Sequence, residues 1–254
     1  TGSAVPASTL TNTAALTFYS GTETGPDHTL TDPTDSASVT TLPPIAAKTL
    51  VGSEINNATN SNTQVVIGEL VTYQVTLTVP EGTLPGVVLT DTLDSGLAFV
   101  DCLSVTASPG LSTDLAGGFA AACNDPTNPL VTVLGQSFTY NLGTLTNSNT
   151  DNTVAETITL QYSAVVLNIP ANQSGTARNN QAQLSWTGGS IATVSAPNVT
   201  IIEPVINTAK TADVLIGDAG DLVTFTINLT SANVTDAFDV SMTDMVPAGI
   251  SYVP

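Results

Sequence analysis

An internal repeat constrains the fold of this chain more than any other feature of its sequence. Three pairs of segments match in residue type, and their order along the chain is the same in each copy. The pairs are GELVTYQVTLT (68–78) with GDLVTFTINLT (220–230), VVLTDTLDSGLAFV (87–100) with VSMTDMVPAGISYV (240–253), and NTAALTF (12–18) with NQAQLSW (180–186). Such self-similarity is the sequence signature of a tandem array of one structural unit.

The positions of the matches divide the chain into three parts. Residues 1–43 should carry the last strands of one repeat, 44–203 a complete repeat, and 204–254 the first strands of the next. Because the chain opens without a Met, we expect it to be a mature fragment. Nothing in the two incomplete repeats matches the central strands around QSFTYNLGTL and ETITLQYSAVV, so we expect a window on a longer polypeptide. The alternative is that the two incomplete repeats complete each other between subunits by donating strands.

Each repeat is predicted to consist of β-strands. Val71, Tyr73, Val75 and Leu77 alternate with Thr and Gln, which is the two-residue period of a half-buried strand. The alternation returns in TITLQYSAV at 157–165, and no stretch has an apolar period of 3.6 residues. Clusters of Gly, Pro, Asn and Asp separate these short strands. We therefore predict an all-β fold of tandem immunoglobulin-like antiparallel β-sandwich repeats.

The two lysines of the chain occupy equivalent places in this repeat. Lys48 in AKTL and Lys210 in AKTA each lie on a predicted first strand, although the chain has only three Lys and Arg residues in all. Strand parity places both lysines on the face of the neighbouring apolar residues. The same parity turns Asp91 and its match Asp244 inward. A base and an acid are therefore expected inside each sandwich.

An asparagine completes the inward polar set. Asn180 shares a face with the apolar residues of the last strand, and Asn12 is its match in the preceding repeat. Burial shifts the pKa of a lone ammonium or carboxyl group toward the neutral form. A neutral Lys48 is a nucleophile, and a protonated Asp91 can polarise the Asn180 amide. We predict an isopeptide bond between Lys48 and Asn180, with an unreacted buried polar contact as the alternative.

Cysteine use and charge indicate an extracellular protein. Cys102 and Cys123 are the only cysteines and enclose a short segment, which predicts a local disulfide; two buried free thiols are the alternative. The net charge of −18 repels nucleic acid and anionic lipid, so neither is expected as a partner. No apolar run approaches the roughly 20 residues of a membrane helix, so we expect no direct membrane insertion of this segment.

The sequence has no motif of an enzyme that acts on other molecules. His28 is the only histidine, and no nucleophile triad, phosphate loop or metal-ligand spacing accompanies it. No cofactor is expected except calcium, which takes several oxygen ligands from flexible loops. Without a DxDxDG order, solvated acidic loops are the preferred interpretation. The calcium candidates are Asp27, Asp32, Asp35, Asp218 and Asp221.

These phrases together resemble a known family. It is the conserved repeat domain of unknown function, number eleven in its catalogue, which occurs in tandem in very large bacterial and archaeal surface proteins. Its recurring phrases are KT on the first strand, G-x-x-V-T-Y-T-I-x-V on the second, V-x-V-T-D-x-L-P, and a closing N-x-A. The family usually has Pro where this chain has Asp94. The residues at the family positions are Lys48, Asp91, Asn180, Lys210, Asp244 and Asn12.

The resemblance implies an immunoglobulin-like, isopeptide-bearing module of the Gram-positive adhesin or pilin type. We expect a structural repeat of a cell-surface fibre, stalk or filament, whose partners are neighbouring repeats or subunits of the same protein. The alternative is an adhesive module that binds a glycan or a partner protein through end loops or the disulfide-bonded insertion. Aromatic residues make up only 5% of the chain, and its one Trp is assigned inward, which favours the structural role.

Overall fold

Among the residues that the structure describes, β-strands are the dominant secondary structure, as the sequence predicted. A computed structural model describes residues 5–29, 31–56, 60–119, 123, 131–134, 136–151, 153–232, 237 and 239–253. The strands are, in chain order, β1 (Thr9–Ala15), β2 (Thr34–Thr40), β3 (Ile45–Ser53), β4 (Gln64–Val65), β5 (Leu70–Thr78), β6 (Gly82–Leu93), β7 (Leu97–Ala107), β8 (Leu111–Thr113), β9 (Val131–Leu134), β10 (Ser137–Asn147), β11 (Thr157–Val166), β12 (Ala177–Arg178), β13 (Asn180–Trp186), β14 (Gly189–Ser190), β15 (Val194–Ser195), β16 (Val199–Ile201), β17 (Ile206–Ala212) and β18 (Phe225–Ser231). Within these residues no helix has the length and apolar character needed to cross a lipid bilayer.

Two antiparallel sheets form a sandwich. The larger sheet has the order β14–β13–β6–β10–β8, with β15 also paired to β13 and β9 to β10. The smaller sheet has the order β3–β5–β11–β7. A small third sheet, β12–β16–β4, contains a parallel pair between β16 and β4 that the sequence did not predict. The sandwich itself confirms the predicted fold class.

The alternating sequence gives each strand of the sandwich one inward face. In β5 the side chains of Val71, Tyr73, Val75 and Leu77 are fully buried, and the polar residues between them are half-buried. Strand β11 pairs with β5 along its length and repeats this pattern. One apolar core therefore runs between the two sheets.

Aromatic rings connect the two sheets across this core. Phe138 of β10 belongs to the larger sheet, whereas Phe99 of β7 and Tyr162 of β11 belong to the smaller one. The ring centroid of Phe138 lies 4.4 Å from that of Phe99 and 4.8 Å from that of Tyr162. Burial of a large apolar side chain contributes roughly 1.5–3 kcal/mol, so these rings are a major part of the sandwich's stability.

Separate two-stranded sheets form at both ends of the chain. Strand β1 pairs with β2, and β17 with β18, both antiparallel. Leu10, Val39 and Leu229 on these strands expose 46%, 63% and 46% of their surface. An isolated pair of strands is only marginally stable in water, so these sheets need a covering layer. The repeat boundaries after residues 43 and 203 stay predictions.

Two glycines that match in the sequence comparison have similar backbone conformations. Gly68 precedes β5 with a φ of 85°, and Gly220 precedes β18 with a φ of 103°. Both angles lie in the left-handed region, where a β-carbon causes strain and glycine does not. The turns before β5 and β18 therefore both require a residue that adopts a positive φ.

Candidate functional site

Lys48, Asp91 and Asn180 meet inside the sandwich although they lie on three different strands. Lys48 is on β3 of the smaller sheet, whereas Asp91 on β6 and Asn180 on β13 belong to the larger one. They expose 6%, 0% and 0% of their surface. Asp91 is directly opposite Ala182, so Asn180 is its diagonal neighbour on the same face. The lysine approaches this acid and amide from the facing sheet.

Tyr162 joins the three polar side chains. Lys48 Nζ donates hydrogen bonds to Asp91 Oδ2 and, at 2.5 Å, to the Tyr162 hydroxyl. Asn180 Nδ2 donates to the same hydroxyl at 2.7 Å, and the hydroxyl donates to Asp91 Oδ2 at 2.7 Å. Because both nitrogens contact this one oxygen, Lys48 Nζ lies close to Asn180 Nδ2.

Burial sets the protonation of the cluster. Desolvation lowers the pKa of Lys48 to about 8, against a partly compensating attraction from Asp91. Desolvation likewise raises the pKa of Asp91, although Lys48 and Tyr162 act in the opposite direction. Because water is excluded, the neutral amine and the neutral acid are both favoured relative to their populations in solution.

Two oxygens of the cluster have no hydrogen-bond partner among the described residues. They are Asp91 Oδ1 and Asn180 Oδ1, and both are buried. A buried oxygen without a donor is destabilising by roughly 1–3 kcal/mol. A proton on Asp91 Oδ1 would turn that atom into a hydrogen-bond donor. Asn180 Oδ1 is a hydrogen-bond acceptor that has no donor among the described residues. The arrangement therefore suits a protonated Asp91.

Sequence reasoning assigned Tyr162 only to the inward apolar face and missed its hydroxyl. Parity predicts which way a side chain points, but not the depth at which its polar end lies. The available signal was a tyrosine, rather than a phenylalanine or leucine, at a fully inward position. Tyr73 and Tyr140 carry the same signal, and their buried hydroxyls have no partner in the described part of the chain. The presence of an inward tyrosine would therefore not have distinguished Tyr162 from Tyr73 and Tyr140.

Lys210 and Asp244, the matched pair of the predicted following repeat, make a similar contact but are exposed. Lys210 Nζ lies 2.6 and 2.8 Å from the two carboxylate oxygens of Asp244, and 4.7 Å from the centroid of the Phe225 ring. The two charged side chains expose 42% and 37% of their surface, whereas inward positions were predicted. Only β17 and β18 pair there among the described residues, so no second sheet buries the pair. Asn12 is likewise exposed on β1, opposite Ala37.

The structure joins Cys102 and Cys123 in a disulfide. Their Cα atoms are 5.1 Å apart, within the usual span of such a bond. Cys102 lies on β7 and is buried, whereas Cys123 is half-buried beside the core. Residues 120–122 and 124–130 of the enclosed and following segment lie outside the described part. The bridge therefore attaches the insertion to the edge strand of the smaller sheet.

The calcium candidates make local turn contacts. Asp27 Oδ1 accepts hydrogen bonds from the backbone and the hydroxyl of Thr29 at 2.8 and 2.6 Å, and these bonds lower the pKa of Asp27. Asp221 Oδ2 accepts from the backbone of Asp218 at 2.7 Å. Asp32 is exposed, and Asp35 accepts from its neighbour's backbone. The described residues contain no group of three or more metal-ligating side chains, so calcium binding stays a prediction.

A cleft of about 1160 Å³ opens between the β2 end and the sandwich. Its apolar wall includes Leu42, Val79 and Val154, and its polar wall includes Asn147 and Glu156. Glu156 is buried and accepts a hydrogen bond from Asn147 Nδ2 at 3.2 Å, so its carboxylate is already engaged. The lining residues include no aromatic side chain in the described part.

Together, the fold and the cluster define an all-β sandwich protein with a buried lysine, acid and asparagine. Three solved structures with similar folds come from Gram-positive bacteria. They are the BspA C-terminal domain of Streptococcus agalactiae (13% identity, TM-score 0.42, 67% of this chain and 54% of that chain), BcpA, the major pilin subunit of Bacillus cereus (14%, 0.39, 79% and 65%), and the pilus backbone RrgB of Streptococcus pneumoniae (16%, 0.38, 76% and 47%).

The similarity to these structures is low. The chain spans less than two thirds of the length of each, and at such scores the likeness carries no argument about function. No protein-family model matches the chain, and no curated protein matches its sequence. The resemblance to the numbered repeat family therefore stays a prediction, and function has to be argued from the buried cluster.

Proposed function

We propose that this chain is a structural repeat of an extracellular fibre, stalk or filament, stabilised by an isopeptide bond that it forms itself. The bond would join Lys48 Nζ to Asn180 Cγ, with Asp91 as the assisting acid. The observation that carries the proposal is the buried contact network in which one hydroxyl touches both the amine and the amide nitrogen. The chain would act once on itself rather than turn over a substrate.

The lowered pKa of Lys48 supports this chemistry quantitatively. With a pKa of about 8, Lys48 carries a neutral amine in about one tenth of the molecules at pH 7. At the ordinary value of 10.5 the neutral fraction would be about 300 times smaller. Burial thus supplies the nucleophile, and departure of ammonia makes even a slow reaction effectively irreversible.

Each step of the proposed reaction has a group in the cluster to assist it. Lys48 Nζ attacks Asn180 Cγ and forms the new carbon–nitrogen bond. A proton on Asp91 Oδ1 stabilises the negative charge that develops on Asn180 Oδ1. The bond from Cγ to Nδ2 then breaks, and Nδ2 leaves as ammonia after it gains the proton that Nζ has lost. Asp91 returns to its starting state, so atoms and charge balance.

The site of the bond supports a mechanical role. Lys48 is on β3 of the smaller sheet, and Asn180 is on β13 of the larger one. A covalent link between them would hold the two sheets together against shear, independently of the apolar core. Tension that enters near residue 48 and leaves near residue 180 would pass through the link instead of the intervening strands. Such a device suits a repeat under load.

The disulfide and the composition support a location outside the cell. A bond between Cys102 and Cys123 persists in an oxidising compartment and is rare in the cytosol. The exposed apolar strands at the two chain ends support assembly with neighbouring repeats or subunits. We therefore propose the cell surface as the location and copies of the same protein as the partners.

The open cleft is the observation that favours the adhesive alternative. Its volume would accommodate a sugar or a peptide segment. Aromatic side chains are common in ligand pockets, and none belongs to the described lining of this one. We therefore retain glycan or protein binding as the second candidate function.

Intact mass and peptide mapping test the proposed bond. The folded wild-type protein should be lighter than its sequence by one ammonia in addition to the hydrogens lost to the disulfide. Digestion at acidic residues should release a branched peptide that contains Lys48 and Asn180. Asp91→Ala should restore the missing ammonia, because the amide loses its proton donor.

Asp94→Ala is the matched control. Asp94 Oδ2 accepts a hydrogen bond from the Asn179 backbone at 2.8 Å, so this acid is near the same strands without touching Lys48. This variant should still lose ammonia. A wild-type protein with its full mass, folded by circular dichroism, would reject the bond and leave an unreacted polar cluster.

A further inference from the structure

The hydroxyl of Tyr162 uses its full hydrogen-bonding capacity within the cluster. A phenolic hydroxyl has one proton to donate and two lone pairs to accept with. Tyr162 donates to Asp91 Oδ2 and accepts from Lys48 Nζ and Asn180 Nδ2. Under the proposed function, these two nitrogens are the attacking and the departing atoms. One oxygen therefore touches both of them.

The other buried tyrosines of the sandwich are arranged differently. Tyr73 and Tyr140 are as buried as Tyr162, and their hydroxyls make no hydrogen bond within the described residues. In the following repeat, the residue matched to Tyr73 is Phe225, which has no hydroxyl at all. These positions can be explained by ring packing, whereas the contacts of Tyr162 cannot.

We propose that Tyr162 is a catalytic residue of the isopeptide-forming reaction, relaying a proton from Lys48 Nζ to Asn180 Nδ2. This inference rests on the proposed function, because it assigns a role within that reaction. The residue also fixes the amine beside the amide before the reaction begins.

The relay balances in two steps. As Nζ attacks, it passes a proton to the Tyr162 oxygen, the original hydroxyl proton moves to Asp91 Oδ2, and the proton of Asp91 Oδ1 moves to Asn180 Oδ1. As the bond from Cγ to Nδ2 breaks, Asn180 Oδ1 returns its proton to Asp91 Oδ1, Asp91 Oδ2 returns its proton to Tyr162, and the hydroxyl gives one proton to Nδ2. Tyr162 and Asp91 end as they began, and one ammonia leaves.

The surroundings keep Tyr162 in the state that such a relay needs. Burial raises the pKa of Tyr162 well above its usual value, because a phenolate would be poorly solvated in the core. The residue therefore stays a neutral hydroxyl that both accepts and donates, rather than a phenolate that can only accept. Its ring is held by Phe138 and Phe99, at centroid distances of 4.8 and 6.0 Å, so the hydroxyl has little freedom to move away.

The rate of ammonia loss after folding tests this role. Chains purified under denaturing conditions from inclusion bodies should be unlinked, and dilution into oxidising buffer starts folding and the reaction together. Samples quenched in acid are followed by intact mass. Tyr162→Phe should slow the loss about a hundredfold, since a positioned proton-transfer group typically contributes at least that much. Tyr73→Phe and Tyr140→Phe, which remove unpartnered hydroxyls, should react at the wild-type rate.

Outcomes for the relay and for the bond are distinguishable. If the wild-type protein loses ammonia and Tyr162→Phe does so equally fast, the relay is wrong and the bond stands. If all three tyrosine variants are slowed alike, packing rather than the hydroxyl is responsible, which also rejects the relay. A wild-type chain that folds and keeps its full mass rejects both proposals.

A second measurement tests the contact between Tyr162 and Lys48 without any reaction. Asn180→Ala cannot form the bond, and ¹³C-labelled lysine gives signals from only two residues, Lys48 and Lys210. In this background Tyr162→Phe removes an acceptor from the ammonium form, so it should lower the pKa of Lys48 further. Tyr73→Phe should leave the pKa of Lys48 unchanged. An unchanged Lys48 titration with Tyr162→Phe would overturn the positioning role.

Discussion

An unlinked sandwich should become more stable as the pH rises above about 8. In Asn180→Ala the Lys48 amine cannot react, so it keeps the pKa of about 8 that burial imposes, compared with 10.5 in an unfolded chain. Between these values the unfolded chain binds a proton that the folded chain has released, which makes stability rise with pH. The slope for one group is about 0.7 kcal/mol per pH unit at pH 8, where half of the folded molecules have released the proton, and it rises toward about 1.4 kcal/mol per pH unit. The gain from pH 8 to pH 9.5 is therefore about 1.6 kcal/mol.

Urea unfolding at several pH values between 8 and 9.5 measures this gain. The range stops there because the tyrosines of the unfolded chain ionise near pH 10, and the raised pKa of buried tyrosines then lowers stability. Asp91 has the opposite effect on the pH dependence of stability. Its raised pKa lets the folded chain bind a proton that the unfolded chain has lost, so its contribution to the free energy of unfolding falls as the pH rises. The control Asn180→Ala/Lys48→Met keeps Asp91 and removes the lysine, so the difference between the variants isolates Lys48.

The wild-type protein completes the comparison. In a linked chain the nitrogen of Lys48 is part of an amide and cannot titrate, so this contribution to the pH dependence should be absent. A gain of the same size with and without Lys48 would show that the buried amine is not its source. An identical pH dependence of Asn180→Ala and Asn180→Ala/Lys48→Met between pH 8 and 9.5 would refute the claim that burial depresses the pKa of Lys48.

Two further predictions concern the disulfide and the chain ends. Reduction of the bond between Cys102 and Cys123, 21 residues apart, should lower the free energy of unfolding by about 3 kcal/mol, measured by urea unfolding with and without reductant; thiols that alkylate fully before reduction would contradict the bridge. The exposed apolar faces of β1–β2 and β17–β18 should make residues 1–254 self-associate as concentration rises, detectable by light scattering, and a monomer at every concentration would contradict this.

The inward faces of the strands could be predicted because side chains alternate with a period of two. Once β5 was identified from Val71, Tyr73 and Val75, parity alone indicated which of its residues would be buried. The same alternation predicts that the side chains of Lys48 and Asp91 both point into the interior of the sandwich.

Parity does not predict what covers a face or how deep a polar atom lies. Lys210 follows the same rule as Lys48 but remains exposed, because the described strands around it form only one layer. The hydroxyl of Tyr162 reaches the cluster because facing sheets bring β11, β6 and β13 together, and that geometry depends on packing between layers. The parallel pairing of β16 with β4 is also a contact between distant segments, for which local sequence carries no signal.

The scarcity and placement of basic residues have a consequence for proteolysis. Proteases of the trypsin type cut after lysine or arginine, and they need a flexible, accessible segment around the bond. In the complete repeat, Lys48 is buried in the ladder between β3 and β5, and the Arg178 guanidinium is bound to Asn172 Oδ1 at 2.7 Å and to the Ala171 carbonyl at 2.5 Å. Either cut would first require local unfolding of the sandwich. Such a repeat would resist proteases of the trypsin type even where its loops are exposed.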